Sequence, residues 1–318
     1  MGSRTQFFTR RDNRQPGFDT RGSLAIPSRG RENEAEFNRR MEKEAPRAGE
    51  EDQESTIRFY RWLQKSGFMD VLNNTGNNYT VVLPVDRAVN RLPSKYQKAL
   101  EDNPRQLESL LMYHIIPGPI NMSRLRDDDG IPTVSGRDIR VKIYPSHKND
   151  GTNTTSLAGA QVIGDTTTPN GKVRFLITDR VMYPPQGNLY DVISRSPILK
   201  SLSNLIKVAN LETGLSETGP FTLFAPSDEA FTKLPPESLD YLAHDPQSSR
   251  AFLLRHIVQP VLFTSSIPMD NSTVLESTTG ERLELTRSKD VVKVDGIGIK
   301  YADITATNGV IHVIDHVL

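Results

Sequence analysis

The spacing of hydrophobic residues changes in the same order in both halves of the chain. Apolar residues first recur at three- and four-residue steps, over residues 59–72 and again over residues 189–209, a pattern typical of amphipathic helices. Gly67 and Pro197 interrupt the two series and predict breaks in the helices. Each half is therefore predicted to open with helices.

Strand patterns dominate the later part of each half. Apolar and charged residues alternate over residues 139–143, as expected of a strand with one buried face. Asp295-Gly296, which lies between two alternating apolar runs, predicts a hairpin with a type I′ turn. Each half closes with Asn-Gly and an apolar strand, at residues 173–181 and 310–318. Helices first, strands later and no regular βαβ alternation predict an α+β fold.

A turn followed by a short helix separates the two kinds of pattern. Ser227 is placed to cap that helix, with Asp228 and Glu229 in its positive first turn. The first half has Val85 at the position of the serine, and Asp86 is predicted to provide the cap there.

The two halves also align residue by residue. Residues 79–93 lie over residues 221–235 at an offset of 142 positions, which persists as far as His114 and His256. Later positions match at an offset of 138, a slip that small insertions in surface loops produce. The chain is therefore predicted to contain two copies of one domain.

The predicted domain boundaries follow from what lies outside the repeat. Residues 1–53 interleave basic and acidic residues with few aliphatic ones, and we expect a disordered charged tail. The first copy then spans residues 54–185 and the second residues 186–318. Their junction, residues 183–187, contains a Pro-Pro pair, which favours a semi-rigid spacer and a restricted mutual orientation.

Composition and spacing leave no support for cofactor or metal chemistry. The 39 basic residues balance the 39 acidic ones, so no overall charge attracts nucleic acid. Cysteine is absent, which excludes disulfides, cysteine-bound zinc and thiol nucleophiles. The segment 296–298 lacks the third glycine of a dinucleotide site, and residues 126–130 lack the ligand pattern of a calcium loop. His312 and His316 would lie too far apart on a strand to share one ion.

Three segments of the second half resemble a known family. They are FTLFAPSDEAFTKLP at 221–235, the histidine of LLRHIV at 253–258 and the closing NGVIHVIDHVL at 308–318, and they resemble the fasciclin domain. The first half is more divergent, with TVVLPVDRAV and NGKVRFLITDRVM at the corresponding places. The resemblance implies two tandem fasciclin-type domains, each a wedge-like β-sandwich wrapped by helices. It also implies adhesion rather than catalysis.

Repeated polar residues are the first candidate sites. Asp86 and Asp228 occupy the family's turn-to-helix position, and His114 and His256 follow them at the same separation. A buried Asp–His hydrogen bond between two helices would satisfy both groups, and we interpret these residues as a structural lock. A catalytic dyad would need a nucleophile, and the sequence has no GxSxG motif.

Tyr113, His114, Ile115 and Ile116 form the candidate partner-binding site. The tyrosine–histidine pair resembles an adhesion motif of the family's matrix members, which implies contact with a receptor such as an integrin. Apolar neighbours more often indicate a core position, and both interpretations stay open. The second copy has Arg255 in place of the tyrosine.

Five Asn-X-Ser/Thr sequons indicate a glycoprotein. All lie in predicted loops or at the ends of elements, where a glycan is tolerated; they are Asn73, Asn78, Asn121, Asn153 and Asn271. We therefore expect an extracellular protein of the cell surface or matrix. The first residues lack the apolar segment of a signal peptide and no anchor signal follows the last strand, so we expect a fragment of a longer protein.

The leading functional hypothesis is an extracellular adhesion module that mediates cell–cell or cell–matrix contacts. Its partner would be a receptor such as an integrin, a matrix protein or another fasciclin-type domain. The alternative is a matrix scaffold that binds collagen or glycosaminoglycan, with Arg10, Arg11 and Arg14 of the tail making a weak contact. Salt would weaken binding of that tail to a polyanion but not apolar adhesion.

Overall fold

A computed structural model describes most of the two predicted domains. The described residues are 45, 55–146, 152–217, 219–269, 271–289 and 291–318. The predicted tail lies outside them, apart from Ala45, which packs in the first hydrophobic core. No helix of the described segments is long and apolar enough to cross a bilayer.

The first domain opens with helices and continues with strands, in the order that its hydrophobic pattern predicts. Gly67, at φ 72°, separates the first two helices and confirms the predicted break. The elements are α1 (Ile57–Lys65), α2 (Phe68–Asn74), β1 (Tyr79–Pro84), α3 (Asp86–Asn90), α4 (Ser94–Asp102), α5 (Pro104–Tyr113), β2 (Ile115–Pro117), β3 (Gly130–Pro132), β4 (Asp138–Pro145), β5 (Asn153–Leu157), β6 (Ala160–Thr167) and β7 (Val173–Thr178), with a 3-10 turn at Met122–Arg124.

The second domain repeats this order with one additional short helix. Its first helix ends before Pro197, as predicted. The elements are α6 (Leu189–Arg195), α7 (Lys200–Val208), α8 (Glu212–Ser216), β8 (Phe221–Pro226), α9 (Asp228–Thr232), α10 (Pro236–His244), α11 (Pro246–Arg255), β9 (Ile257–Val258), β10 (Ser272–Glu276), β11 (Arg282–Ser288), β12 (Val291–Val294), β13 (Ile297–Ala306) and β14 (Gly309–Ile314), with a 3-10 turn at Thr264–Ser266.

The two domains have the same sheet topology. In the described parts of the chain, seven strands run in the order β2-β1-β7-β6-β5-β4-β3 in the first domain and β9-β8-β14-β13-β12-β11-β10 in the second. Among these strands, only β1 with β7 and β8 with β14 pair in parallel, because the closing strand of each domain inserts beside the first one. This correspondence agrees with the repeat found in the sequence.

Each sheet is buried on both faces where the first and last strands meet, because consecutive side chains of a strand point to opposite sides. Val81 and Leu83 of β1 pack in the core beneath the helices. Val82 packs in a second core with residues of β4 and β5, such as Val141 and Leu157. Each domain is therefore a β-sandwich with helices over one side, in agreement with the α+β prediction.

Two strand predictions need correction and one is confirmed. The closing strands end at Thr178 and Ile314, a few residues before the predicted ends. In β4 the alternation is wrong at Lys142, which is buried because its ammonium pairs with Asp127 at 2.6 Å. Asp295-Gly296 does form the predicted turn between β12 and β13, with φ positive at both residues.

Candidate functional site

A buried histidine ties the helical layer of the first domain to the segment that follows its last strand. His114 ends α5, and its Nδ1–H donates to the carbonyl of Leu110 at 2.8 Å. Its Nε2 accepts a hydrogen bond from the backbone N–H of Met182 at 3.1 Å. Both bonds form together only in the neutral tautomer with the proton on Nδ1.

The second domain repeats this arrangement with His256. Its Nδ1–H donates to the carbonyl of Phe252 at 2.8 Å, and its Nε2 accepts from the N–H of Leu318 at 3.0 Å. Burial disfavours the charged ring and lowers the pKa of both His114 and His256 to about 4. Each histidine therefore links the end of a helix to the backbone that follows the last strand, and its partners are not the predicted aspartates.

The predicted Asp–His hydrogen bond is wrong, because each aspartate caps a helix that precedes it in the chain. The Oδ1 of Asp86 accepts from the N–H of Arg58, the second residue of α1, at 2.7 Å. The Oδ1 of Asp228 accepts from the N–H of Ser201, the second residue of α7, at 2.7 Å. Each carboxylate thereby satisfies an N–H that has no partner within its own helix.

The predicted cap of the short helix is confirmed in one domain and wrong in the other. Ser227 accepts a hydrogen bond from the N–H of Ala230 at 3.3 Å and caps α9. In the first domain Val85 is the N-cap of α3 and supplies no side-chain bond. Asp86 lies one residue further on and faces α1 instead.

The candidate partner-binding residues lie in the interior. Tyr113, His114, Ile115 and Ile116 are at most 2% exposed. The hydroxyl of Tyr113 donates to the carbonyl of Asp138 at 3.2 Å. The expectation that these four side chains contact a receptor directly is therefore corrected, because a folded domain presents none of them to a partner.

The sequons lie at the surface or in the last turn of a helix. Asn78, Asn121, Asn153 and Asn271 are exposed, at or beside the ends of elements. Asn73 is half-buried in the last turn of α2. The structure thus presents four of the five side chains to solvent, which is the accessibility that a glycan requires.

Other singled-out segments have structural roles. The segment at residues 126–130 forms a partly exposed turn that is tied to β4, since Asp127 pairs with Lys142 and also accepts from the N–H of Ile143 at 2.8 Å. His316 is exposed beside Asp315, beyond the end of β14. Within the part of the chain that the structure describes, no group of three or more acidic or histidine side chains is placed to hold a metal ion.

The two domains meet along a polar contact that we call the seam, formed by Arg180 with Asp303 and Thr264. The Nη1 of Arg180, from the first domain, donates to the Oδ2 of Asp303 at 2.5 Å and to the Oγ1 of Thr264 at 2.8 Å. The N–H of Thr264 donates to the Oδ1 of Asp303 at 2.8 Å. Asp303 itself is fixed by its own N–H, which donates to the Nδ1 of buried His312 at 3.1 Å.

An apolar contact extends the seam. Gly159, at φ 84° in the turn between β5 and β6, lies against the ring of Phe263 from the second domain. A Cβ on Gly159 would come within 2.8 Å of the Cδ1 of that ring. Glycine therefore serves both the turn conformation and the close approach of the two domains.

The linker is bonded to both domains, which supports the expectation of a restricted orientation. Arg137 of the first domain donates to the carbonyl of Pro185. Thr305 of the second domain donates to the carbonyl of Tyr183 at 2.9 Å, and the N–H of Thr307 donates to the carbonyl of Gly187 at 2.9 Å. The linker is thus held against both domains, with Pro185 buried and Tyr183 and Gln186 exposed.

A cleft of about 550 Å³ opens beside the seam, between the two domains and the linker. Its charged lining residues are Arg91, Asp179, Arg180 and Asp303. The Oδ1 of Asp179 accepts from the N–H of Gln161 at 2.7 Å, and burial raises the pKa of the Asp179 carboxyl, against the effect of Arg180. This concave site combines apolar walls with a few polar groups, which is typical of a ligand pocket.

Sequence reasoning missed the seam and the cleft. Arg180 and Asp179 stand in the divergent closing segment of the first half, and Asp303 is distinguished in the sequence only by matching Asp165 at the offset of 138. Contacts between residues 123 positions apart leave no periodic signal in one sequence. In the sequence, the Pro-Pro pair of the linker was the one feature that indicated a fixed orientation of the two domains.

Comparison with known proteins places these domains in a family. The sequence matches the fasciclin domain at residues 54–184 and 197–318. Transforming growth factor-beta-induced protein ig-h3 of Sus scrofa is 29% identical over 244 residues, which are 76% of this chain and 34% of that protein. Periostin of Homo sapiens is 24% identical over 266 residues, 80% of this chain and 30% of periostin. Among solved structures, a FAS1 domain pair from the insect cell adhesion molecule fasciclin I has a TM-score of 0.42 and 23% identity, and the match covers 82% of this chain and 95% of that chain.

The extent of the matches defines what they establish. The chain spans about a third of the length of the two curated relatives. The family match covers most of both copies of the repeat, and each matched segment contains one seven-stranded sheet; α6 lies just outside the second match. The chain therefore belongs to the fasciclin domain family.

Proposed function

We propose that the chain is an extracellular adhesion module that mediates cell–cell or cell–matrix contacts. The observation that carries this proposal is the seam, where Arg180, Asp303 and the bonded linker hold the two domains in one orientation. Two surfaces in a fixed orientation engage a multivalent partner at high effective concentration, so individually weak contacts suffice. This role needs surface rather than chemistry, and the proposal assigns no catalysis to the chain.

The second domain is proposed to provide the main contact surface. Exposed aromatic and aliphatic side chains favour contact with a partner, and Tyr241, Val274, Val291 and Tyr301 of this domain are 50–61% exposed. Among the described residues 55–146 and 152–182 of the first domain, the one exposed large apolar side chain is Ile163, and it is less exposed, at 36%.

The proposed partners are a cell-surface receptor such as an integrin, a matrix protein or another fasciclin-type domain. The exposed sequons support passage through the secretory pathway. Chain secreted from a eukaryotic host is expected to lose mass on endoglycosidase treatment. An unchanged mass would contradict the proposed glycoprotein and weaken the extracellular assignment.

Cell attachment to the immobilised chain tests the function. Tyr241→Ser and Tyr301→Ser are expected to lower the number of attached cells several-fold, while Ile163→Ser in the first domain serves as the matched control. Beads coated with the chain distinguish adhesion between copies, which clusters the beads, from adhesion to a receptor, which requires cells. Attachment of neither cells nor beads would contradict the proposal.

A further inference from the structure

We propose that the cleft between the two domains binds a small, mainly apolar molecule that carries a hydroxyl group. The cleft has a volume of about 550 Å³, which lies within the range of roughly 300–1,000 Å³ of small-molecule pockets. This inference concerns a different surface from the proposed adhesion face and does not depend on adhesion.

The walls of the cleft are apolar and come from both domains. The first domain contributes Ala88, Leu92 and Val181, and the second contributes Val192 and Ile304. Removing these surfaces from water is the main source of affinity for an apolar ligand. Because both domains supply walls, a ligand in the cleft would contact both at once.

Within the described residues, the Asp179 carboxylate in the cleft accepts a single side-chain hydrogen bond. The Oδ1 of Asp179 accepts from the N–H of Gln161, whereas its Oδ2 lies 3.7 Å from the Nε of Arg180, beyond hydrogen-bond distance. The carboxylate is an acceptor and cannot donate when ionised. A ligand that places a hydroxyl donor against Oδ2 would complete its hydrogen bonding.

The remaining charges in the cleft favour a neutral ligand. Arg180 and Asp303 bond to each other and to Thr264, so their charges are already paired. The charged lining residues are two arginines and two aspartates, which sum to zero. The Asp179 carboxylate also lies 3.7 Å from the Nε of Arg180, so a charged ligand would lose its hydration for little gain in charge pairing, whereas a hydroxyl group loses little.

Displacement of the fluorescent dye Nile red from the full chain tests this proposal. Nile red is expected to bind saturably with increased fluorescence, and 1-naphthol and naphthalene are used as competitors of nearly equal size. Because only 1-naphthol can donate to Asp179, we expect it to compete about tenfold more strongly than naphthalene, the effect of one hydrogen bond to a charged group.

Two variants locate the site. Ala302 is exposed and lines the cleft, so Ala302→Trp is expected to fill the cleft and lower dye affinity at least about tenfold. Ala243→Trp, at an exposed position of α10 outside the cleft, is the matched control and is expected to bind as the unaltered chain does. Asp179→Asn keeps an acceptor for Gln161 and is expected to remove the preference for 1-naphthol.

Each outcome decides a part of the inference. Absence of saturable dye binding, or equal binding by Ala302→Trp and the unaltered chain, would overturn the cleft as the site. Equal competition by 1-naphthol and naphthalene would overturn the role of Asp179 in selecting a hydroxyl group. Thermal melting of each variant, followed by circular dichroism, confirms that loss of binding does not reflect unfolding.

Discussion

The two domains share a framework but use one corresponding pair of positions differently. In the first domain Arg174 of β7 donates to Asp165 of β6 at 2.8 Å, and the pair lies at the surface. In the second domain the corresponding residues are His312 and Asp303. The histidine is buried; its Nδ1 accepts from the backbone N–H of Asp303 and its Nε2–H donates to the carbonyl of Leu262 at 2.9 Å. The carboxylate of Asp303 binds Arg180 of the first domain instead. The same position in the sheet thus forms an ion pair within the first domain and an ion pair between the domains in the second.

The corresponding hairpin turns show the same contrast. Ala158-Gly159 and Asp295-Gly296 are both two-residue turns with positive φ. Gly159 lies against Phe263 of the other domain, whereas a Cβ added at Gly296 would meet nothing within 4 Å. Both turns need a glycine because φ is positive there. Gly159 at the seam must also lack a side chain, because Phe263 packs against it.

The largest expected difference in stability is between alanine substitution of Tyr113 and alanine substitution of its counterpart Arg255. Tyr113→Ala removes a fully buried ring and is expected to destabilise the first domain by about 3–5 kcal/mol. Arg255→Ala removes a half-exposed side chain paired with Glu281 and is expected to cost about 1 kcal/mol or less. Urea unfolding reports the first change through Trp62, the only tryptophan of the chain, which lies in the first core. Unchanged stability with lost cell attachment would instead place Tyr113 at a binding surface.

Acid is expected to destabilise both domains alike through their histidine locks. His114 and His256 have a pKa of about 4 when folded and about 6.5 when unfolded. As the pH falls below 6.5, the unfolded chain takes up protons that the folded chain does not. Stability then falls by up to about 1.4 kcal/mol per pH unit for each histidine, until the pH reaches the folded value. Above pH 6.5 both states are neutral and these residues add no pH dependence.

Urea unfolding at pH 7, 6 and 5 measures this effect before most carboxylates titrate. His114→Gln is expected to remove the contribution of His114 to the slope of the unfolding free energy against pH. His244→Gln, at an exposed histidine of α10, is the matched control and is expected to leave the slope unchanged. Equal slopes for all three chains would show that the lock is not a neutral buried histidine.

Substitution of Asp303 is expected to lower the stability of the chain more than substitution of Asp165, its counterpart in the first domain. Asp303→Asn weakens charge-assisted bonds to Arg180 and Thr264 and is expected to cost about 1.5–3 kcal/mol. Asp165→Asn weakens a surface ion pair with Arg174 and is expected to cost about 1 kcal/mol or less. Thermal melting of the full chain compares the two, and equal costs would argue against the seam as an energetic contact.

The smallest expected difference is between the effects of alanine substitution at the two turn glycines, Gly159 and Gly296. Gly159→Ala and Gly296→Ala both place a Cβ at positive φ, at a cost of about 1–2 kcal/mol each. Gly159→Ala must in addition displace Phe263 and is expected to open the seam. Limited proteolysis of the linker measures this, with faster cleavage expected for Gly159→Ala alone. Identical cleavage of both variants would contradict the packing role of Gly159.

Features of the fold that depend on local residue patterns or on the internal repeat were predicted from the sequence. The helix breaks at Gly67 and Pro197, the hairpin at Asp295-Gly296 and the duplicated domain were all readable, because propensity and spacing act over short distances. The histidine locks were identified as structural from their repeated positions, but their partners were not. Their acceptors and donors are backbone groups, which every residue carries and which no pattern distinguishes.

The candidate site was less predictable than the fold. Tyr113 was ambiguous, since the same apolar neighbours suit both a core and an adhesion motif, and only burial separates the two. The aspartates at 86 and 228 were expected to bond the histidines, because spacing along the chain does not reveal that α1 and α7 begin beside them. The seam depends on how two complete domains pack, and one sequence without its fold contains no signal for it.

The fixed orientation of the two domains is the central claim, and the absence of cysteine makes it directly measurable. Glu101→Cys in α4 and Lys293→Cys in β12 place one spin label on an exposed position of each domain. Pulsed electron–electron double resonance is expected to give a single narrow distance distribution for this pair of labels, and a broader distribution when Arg180→Ala is added. A broad distribution with the seam intact would contradict the account.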